Sequence, residues 1–195
     1  PVVDDIQDKL GFKTKNVFKM SFERKNLAYI VRQTFDKEKE LIDILQKEEG
    51  CAIVYVRNRQ KTKDIAKLLN KNGISATYYN AGLENAIRDE RQKEWTTDKV
   101  RVMVATNAFG MGIDKPDVRI VIHTDCPDSI EAYFQEAGRA GRDGKMSKAI
   151  LLYNGSDKGK LMRRIDDNFP ETEYIRTVYD HLAFFYQIAV GSGRG

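Results

Sequence analysis

Cysteine is scarce: Cys51 and Cys126 are the only two in 195 residues, and they form no C-x-x-C pair. No zinc site and no disulfide framework are indicated, and a reducing intracellular setting is expected: cytoplasm and nucleoid, or nucleus in a eukaryote. Long apolar runs are missing too. None approaches the roughly 18 to 20 residues that span a bilayer. The opening PVVDDIQDKL is too polar for a secretory signal, so the expectation is a soluble protein with no membrane partner. Histidine occurs twice. His123 sits in an apolar run with nothing to orient it as a base, and it reads as structural, as does His181. Neither sign of charge dominates: 33 basic residues face 29 acidic ones, for a net charge of +4. So mild an excess supports nucleic-acid binding only through local clustering. There is no internal repeat and no low-complexity tract.

The most consequential absence is a phosphate cradle. The pattern G-x-x-x-x-G-K-[ST], whose backbone amides surround phosphates, does not occur. Gly144-Lys145 is followed by Met146 where Ser or Thr is needed, and position 139 is arginine instead of glycine. No acidic residue suited to magnesium closes an apolar strand. Asp89-Glu90 belongs to AIRDERQKEW, an amphipathic helical stretch with Ile87 and Trp95 among its few apolar positions. Trp95 reads as a core anchor.

What the chain does have is concentrated between Val102 and Gly144. There Arg139 and Arg142 stand beside Gly138 and Gly141. Three residues apart on a helix or helix-like turn, the two guanidiniums share a face, and the glycines leave room for a large anion. Arginine is a permanently charged fork of donors that can follow charge developing on a transferring phosphoryl group, and such a finger often comes from a neighbouring domain. Alone, R-x-x-R is usually a solvated helix end. Here it follows Gln135 by four and seven positions and comes after the loop NAFGMGID, a context that points to polyphosphate. The chain offers fingers without a cradle.

Short β-branched runs alternate with helical periodicity. AIVYV from Ala52, SATYY from Ser75, VRVMVAT from Val100, VRIVIH from Val118 and KAILLY from Lys148 read as strands. NVFKMSF and NLAYIVRQTF read as two earlier strands, the second at a sheet edge. Residues 58–72, with Ile65, Leu68 and Leu69, predict a helix capped by Asn58 and stopped by Gly73. Residues 36–50 repeat the logic with Leu41, Ile44 and Leu45. The predicted fold class is α/β: an open, mostly parallel sheet with helices on both faces. In such sheets ligands bind beyond the carboxyl ends of the strands, which places the loops opened by Arg57, Asn80 and Thr106 on the functional edge. After Tyr153 the character changes. Residues 1–153 read as one lobe and 154–195 as a helical extension, with helices at 157–165 and 171–190. The second carries Tyr174, Tyr179, Phe184, Phe185 and Tyr186, an aromatic stripe that reads as packing, against this chain or a neighbour. The final GSGRG is flexible by composition.

QEAGRAGRDG at residues 135–144 resembles motif VI, and VATNAFGMGIDKPDVR at 104–119 motif V, of the RecQ family of superfamily 2 DNA helicases. AIVYVRNRQ and ISATYYNAGL resemble the segments around motif IV and the loop after it. The likeness runs from about Val17 to Tyr153 and is to the second RecA-like lobe. DEAD-box RNA helicases are similar in layout but usually read H-R-x-G-R-x-G-R, so Gln135 favours RecQ. The resemblance implies a motor lobe of an ATP-dependent 3′-to-5′ DNA helicase, with ATP and Mg2+ held mainly by a first lobe that this chain lacks, so that the chain alone is inactive. Arg142 would be the finger, Arg139 a second phosphate contact, and Gln135 the link between nucleotide and DNA loops. Gly112 and Asp114 would meet the nucleotide, Asp114 by accepting from a ribose hydroxyl. Its other reading is a turn residue ahead of Lys115-Pro116. Arg57, Asn58, Arg59, Asn80, Thr106, Asn107 and Met111 would face single-stranded or duplex DNA, holding backbone without reading sequence. Phe109 either lies against a base or sugar or is buried beneath its loop. Many RecQ proteins carry a cysteine-ligated zinc subdomain after this lobe, and this chain lacks those cysteines. A non-catalytic nucleic-acid-binding α/β module and an RNA helicase lobe are the alternatives.

Overall fold

A computed structural model describes residues 2–14, 16–18, 23–109 and 113–187. Its elements are α1 (Val2–Lys9), β1 (Leu27–Gln33), α2 (Lys37–Lys47), β2 (Cys51–Tyr55), α3 (Arg59–Lys71), β3 (Ala76–Tyr79), α4 (Asn85–Thr96), β4 (Val102–Ala105), β5 (Val118–His123), α5 (Ile130–Ala137), β6 (Ser147–Tyr153), α6 (Gly155–Asn168) and α7 (Thr172–Phe185). The strands form one sheet in the order β1-β6-β5-β2-β4-β3, and every neighbouring pair is parallel. Parallel neighbours need crossovers. Helices α2, α3, α4 and α5 occur in the connections between successive strands.

Local chemistry sets the helix ends. Asp36 Oδ1 accepts from the Lys39 amide at 3.0 Å and starts α2, while Asn58 Oδ1 accepts from Gln60 N at 2.7 Å and starts α3. Gly73 follows α3 at φ +76°, a conformation glycine adopts without penalty. Leu41, Ile44 and Leu45 of α2 and Ile65, Ala66 and Leu69 of α3 pack with Ala52, Val54, Val104, Ile122 and Leu152. The intervening strand residues Ile53, Tyr55, Met103 and Val121 pack instead with Trp95 of α4 and Ala137 of α5. With helices on both faces, the central strands are apolar throughout, and all five residues of β2 are buried. Trp95 is fully buried, and its Nε1 donates to Ala52 O at 3.2 Å.

The edge position expected for NLAYIVRQTF is met by β1. The strand expected at NVFKMSF is not formed at residues 16–18, and residues 19–22 lie outside those described. Helix α6 follows β6 and is tied to the start of α2 through Asp157, whose carboxylate meets Lys37 Nζ at 2.6 Å and caps α6 by accepting from Asn154 N at 2.8 Å. Helix α7 differs from a packed helix. Tyr174, Tyr179, Phe184, Phe185 and Tyr186 are all exposed, and Ala183 is its buried residue. Within the described residues the aromatic stripe therefore does not pack on this chain's core.

Candidate functional site

Because the strands run parallel, the loops leaving β2, β3, β4 and β5 all emerge at one edge. The order β2-β4-β3 brings Arg57, Asn58 and Arg59 beside Thr106 and Asn107 and, beyond them, Asn80. Their side chains are used differently. Asn58 caps α3. Asn80 is buried, its Nδ2 donating to Thr62 Oγ1 at 3.0 Å and its Oδ1 accepting from Gly82 N at 3.0 Å. The side chain expected to face DNA is thus engaged inside the loop. Thr106 is buried as well, while Asn107 and Arg59 are exposed. Arg57 is half-buried and pairs with Asp128, and its amide donates to Asp125 Oδ2 at 3.2 Å.

Phe109 departs from the stacking role. It is 1% exposed, edge-on to Tyr79 at 4.9 Å and to Trp95 at 5.4 Å. Its carbonyl accepts from the Tyr55 hydroxyl at 3.1 Å. Phe109 is the anchor of the loop after β4, with no ring face open to a base. The far end of that loop is anchored by Lys115, a buried ammonium bonded to Asp98 Oδ1 at 2.9 Å and Asp117 Oδ1 at 3.1 Å. Burial works to lower its pKa, but the bonds from Asp98 and Asp117 prevail and hold it above the ordinary lysine value. Met111 and Gly112 lie outside the described residues.

Ser129 starts α5 by accepting from Ala132 N at 3.1 Å, and the helix ends at Ala137 with Gly138 as its cap. Gln135 is on the helix and exposed. Arg139 and Arg142 occupy the turn that follows, so the helical face expected to carry all three stops short of the arginines. The neighbouring glycines serve the chain's own packing instead of making room for an anion. A Cβ at Gly141, which sits at φ +63°, would lie 2.7 Å from Asn26 Nδ2, 2.7 Å from Ser147 Oγ and 2.8 Å from Lys145 O. One at Gly138 would lie 2.8 Å from Phe134 O.

The two arginines have distinct surroundings. Arg142, with 38% of its side chain exposed, donates through Nη1 to Ile113 O at 3.3 Å and Asp114 Oδ1 at 3.4 Å. Asp114 is open to solvent. Arg139 is half-buried against the Tyr55 hydroxyl, and its Nε is buried with no hydrogen-bond partner among the described residues. Burial pushes the Tyr55 hydroxyl pKa up, with Arg139 opposing the shift, so Tyr55 stays a neutral donor. This geometry joins the arginine turn, through Arg142, to the loop carrying Asp114, and leaves donor capacity unused at Arg139.

Three positioning residues escaped the sequence reading. Arg24 donates to Ala140 O at 2.9 Å, Gly141 O at 2.7 Å and Gly138 O at 3.4 Å, clamping the turn between the arginines. Asn26 adds Gly141 O at 2.7 Å and Lys145 O at 3.0 Å. Glu136 Oε2 meets buried His123 Nε2 at 2.8 Å, tying α5 to the end of β5. None carries a local signal, since each partner lies far away in sequence or on another element. His123, stacked on Tyr55 at 5.2 Å, has the structural role expected of it. Among the described residues no group of three or more His, Cys, Asp or Glu could hold a metal, and no helix is long and apolar enough to cross a membrane.

Comparison with known proteins finds helicases similar to this chain. Residues 36–144 match the helicase conserved C-terminal domain. The ATP-dependent DNA helicase RecQ of Haemophilus influenzae is 40% identical over 169 residues, covering 86% of this chain and 27% of that protein. The RecQ-like DNA helicase blm-1 of Caenorhabditis elegans is 41% identical over 171 residues, covering 85% of this chain and 17% of that protein. The chain thus spans a minor part of these relatives. Among solved structures, the E. coli DEAD-box protein SrmB, bound to regulator of ribonuclease activity A, aligns with a TM-score of 0.64 at 32% identity, covering 73% of this chain and 87% of that one. The chain belongs to the helicase conserved C-terminal domain family and is of the RecQ type.

Proposed function

We propose that this chain is the second motor lobe of an ATP-dependent 3′-to-5′ DNA helicase, supplying arginine fingers to a nucleotide held by a first lobe and gripping single-stranded DNA along its carboxyl edge. One observation carries the reading: Arg142 is exposed beside Asp114, and Arg139, half-buried in the same turn, has an Nε with no hydrogen-bond partner among the described residues, two cations in one turn of a chain whose sequence holds no phosphate cradle. Both suit the charged oxygens of ATP as substrate. The Mg2+ that accompanies ATP would be held mainly by the first lobe, as the resemblance to RecQ helicases implies. Arg142 stabilises charge developing on the transferred phosphoryl group, Arg139 holds a second oxygen, and Gln135, exposed on α5, relays nucleotide state toward the strand. Asp114 accepts from a ribose hydroxyl. Asn107, Arg59 and Arg57 hold the DNA backbone, with Thr106 on the same edge, while the roles of Met111 toward DNA and of Gly112 toward the nucleotide rest on the sequence motif alone. The lobe is residues 1–153, and 154–195 begins a following subdomain. The intact motor works inside the cell.

The test uses the complete protein that carries this chain. Arg142→Ala should lower DNA-stimulated ATP turnover by about 10³ to 10⁵ while the protein still binds single-stranded DNA. The 195-residue chain alone should show no DNA-stimulated turnover. Undiminished unwinding by Arg142→Ala, or robust turnover by the chain alone, would refute the half-site.

A further inference from the structure

A second group of cations lies on the carboxyl edge, apart from the arginine turn. Between the end of β5 and α6 is a cavity of about 270 Å3 lined by Arg57, Lys160, Arg163, Arg164, Asp125 and Asp157. Its two carboxylates are already matched by lysines outside that lining. Lys61 Nζ lies 3.1 Å from Asp125 Oδ1, and Lys37 Nζ lies 2.6 Å from Asp157 Oδ2. Lys160 reaches Asp157 only at 3.9 Å. Of the lining cations, Arg57 and Arg164 pair with Asp128, the latter at 3.4 Å. Asp128 is 49% exposed, so water weakens its hold on both.

The guanidiniums are fixed in place. Arg164 Nη2 donates to Cys126 O at 2.9 Å, and its Nε is buried with no hydrogen-bond partner among the described residues. Burial, and then the like charge of Arg164, lower the pKa of Arg57 and outweigh the attraction of Glu136 and Asp125. The two guanidiniums share Asp128 as their ion-pair partner, and with the Arg57 pKa still lowered they are incompletely neutralised. An anion presenting several charged oxygens would bind both forks and reach the rim lysine and arginine.

We propose that this cavity is a phosphodiester subsite: a backbone phosphate of the bound single strand displaces Asp128 and is held by Arg57 and Arg164, with Lys160 and Arg163 at the rim. The inference rests on the reading that the carboxyl edge faces the strand, and it adds α6 to the DNA path. Such a contact holds backbone in any sequence.

The test is fluorescence anisotropy of a labelled oligothymidylate bound to the complete protein, measured over a range of salt. Lys160→Ala with Arg163→Ala should weaken binding by up to about five-fold per cation and reduce the salt slope by about 0.7 for each phosphate no longer neutralised, with an unchanged melting temperature. Asp128→Asn should tighten binding, because the internal competitor is gone. Asp89→Asn on α4 makes the same charge change away from the cavity and should give no gain. Weaker or unaltered binding by Asp128→Asn, or unaltered affinity and slope in the double variant, overturns the subsite. Asn107→Ala separates the two levels of argument: if it weakens binding while the cavity variants do not, only the subsite fails, and if none has an effect the edge does not face DNA. Inorganic phosphate titrated without DNA should bind no more tightly than the oligonucleotide. Tight phosphate binding that is abolished in the double variant would assign the cavity to a free anion and overturn the strand assignment.

Discussion

Replacing Phe109 separates a loop anchor from a base-stacking platform. The ring is 1% exposed and makes edge contacts to Tyr79 and Trp95 at 4.9 and 5.4 Å. Truncating a buried phenylalanine costs about 3–5 kcal/mol, and each aromatic contact contributes about 0.5–1.5 kcal/mol beyond buried area. Phe109→Ala belongs in the upper part of that range, about 4–5 kcal/mol. Phe109→Leu keeps most of the volume and should cost about 1–2 kcal/mol. With a urea m value of about 2–3 kcal/mol/M, the midpoint should fall by roughly 1.5–2 M for the alanine variant and by less than about 1 M for the leucine variant. The folded Phe109→Leu protein should bind single-stranded DNA within about two-fold of the parent, since no stacking face is removed. A stacked base would instead cost about 1–3 kcal/mol, at least about five-fold in affinity. An unchanged urea midpoint with a five-fold or greater loss of DNA affinity in Phe109→Leu would refute the anchor.

Gly141→Ala places a Cβ 2.7–2.8 Å from Asn26, Ser147 and Lys145 at φ +63°. It should destabilise the fold by about 1–3 kcal/mol and, in the complete protein, lower ATP turnover more than DNA affinity; wild-type turnover would show that the turn need not be held. Burial pushes the Cys51 thiol up to about 12 from its ordinary 9.0. The unfolded chain then releases that proton first, so the contribution of Cys51 to stability is fully present below pH 9.0 and is lost as the pH rises toward about 12. A thiol reagent at pH 8 should modify the half-buried Cys126 well before Cys51, and equal rates would contradict this burial.

Much of the fold was legible because its signals are local. Strand β2 and helix α3 announce themselves by apolar period, and Asn58 and Gly73 by the backbone groups and angles a helix end needs. Motif wording between Val104 and Gly144 gave the family, since it belongs to one continuous segment. The strand order was not legible: Leu27 pairs with Ser147, and only chain closure over that distance decides it. The same holds for Arg24 gripping the arginine turn, and for Asp128 between Arg57 and Arg164.

Phe109 shows why side-chain roles are harder. Its sequence neighbours allow a ring on either side of the loop, and Tyr79 and Trp95, from other elements, settle it by burial. In the same way the apolar residues of α7 read as a packing face, yet they stand exposed because packing requires a partner surface that periodicity cannot supply. The sequence by itself determined the central strands and the helices α2 and α3, the parallel α/β class and the arginines in their motif, through local propensity and short spacings. Only the tertiary structure decided which of those side chains are donors to solvent and which are held inside, because that depends on burial and charge brought together from distant parts of the chain.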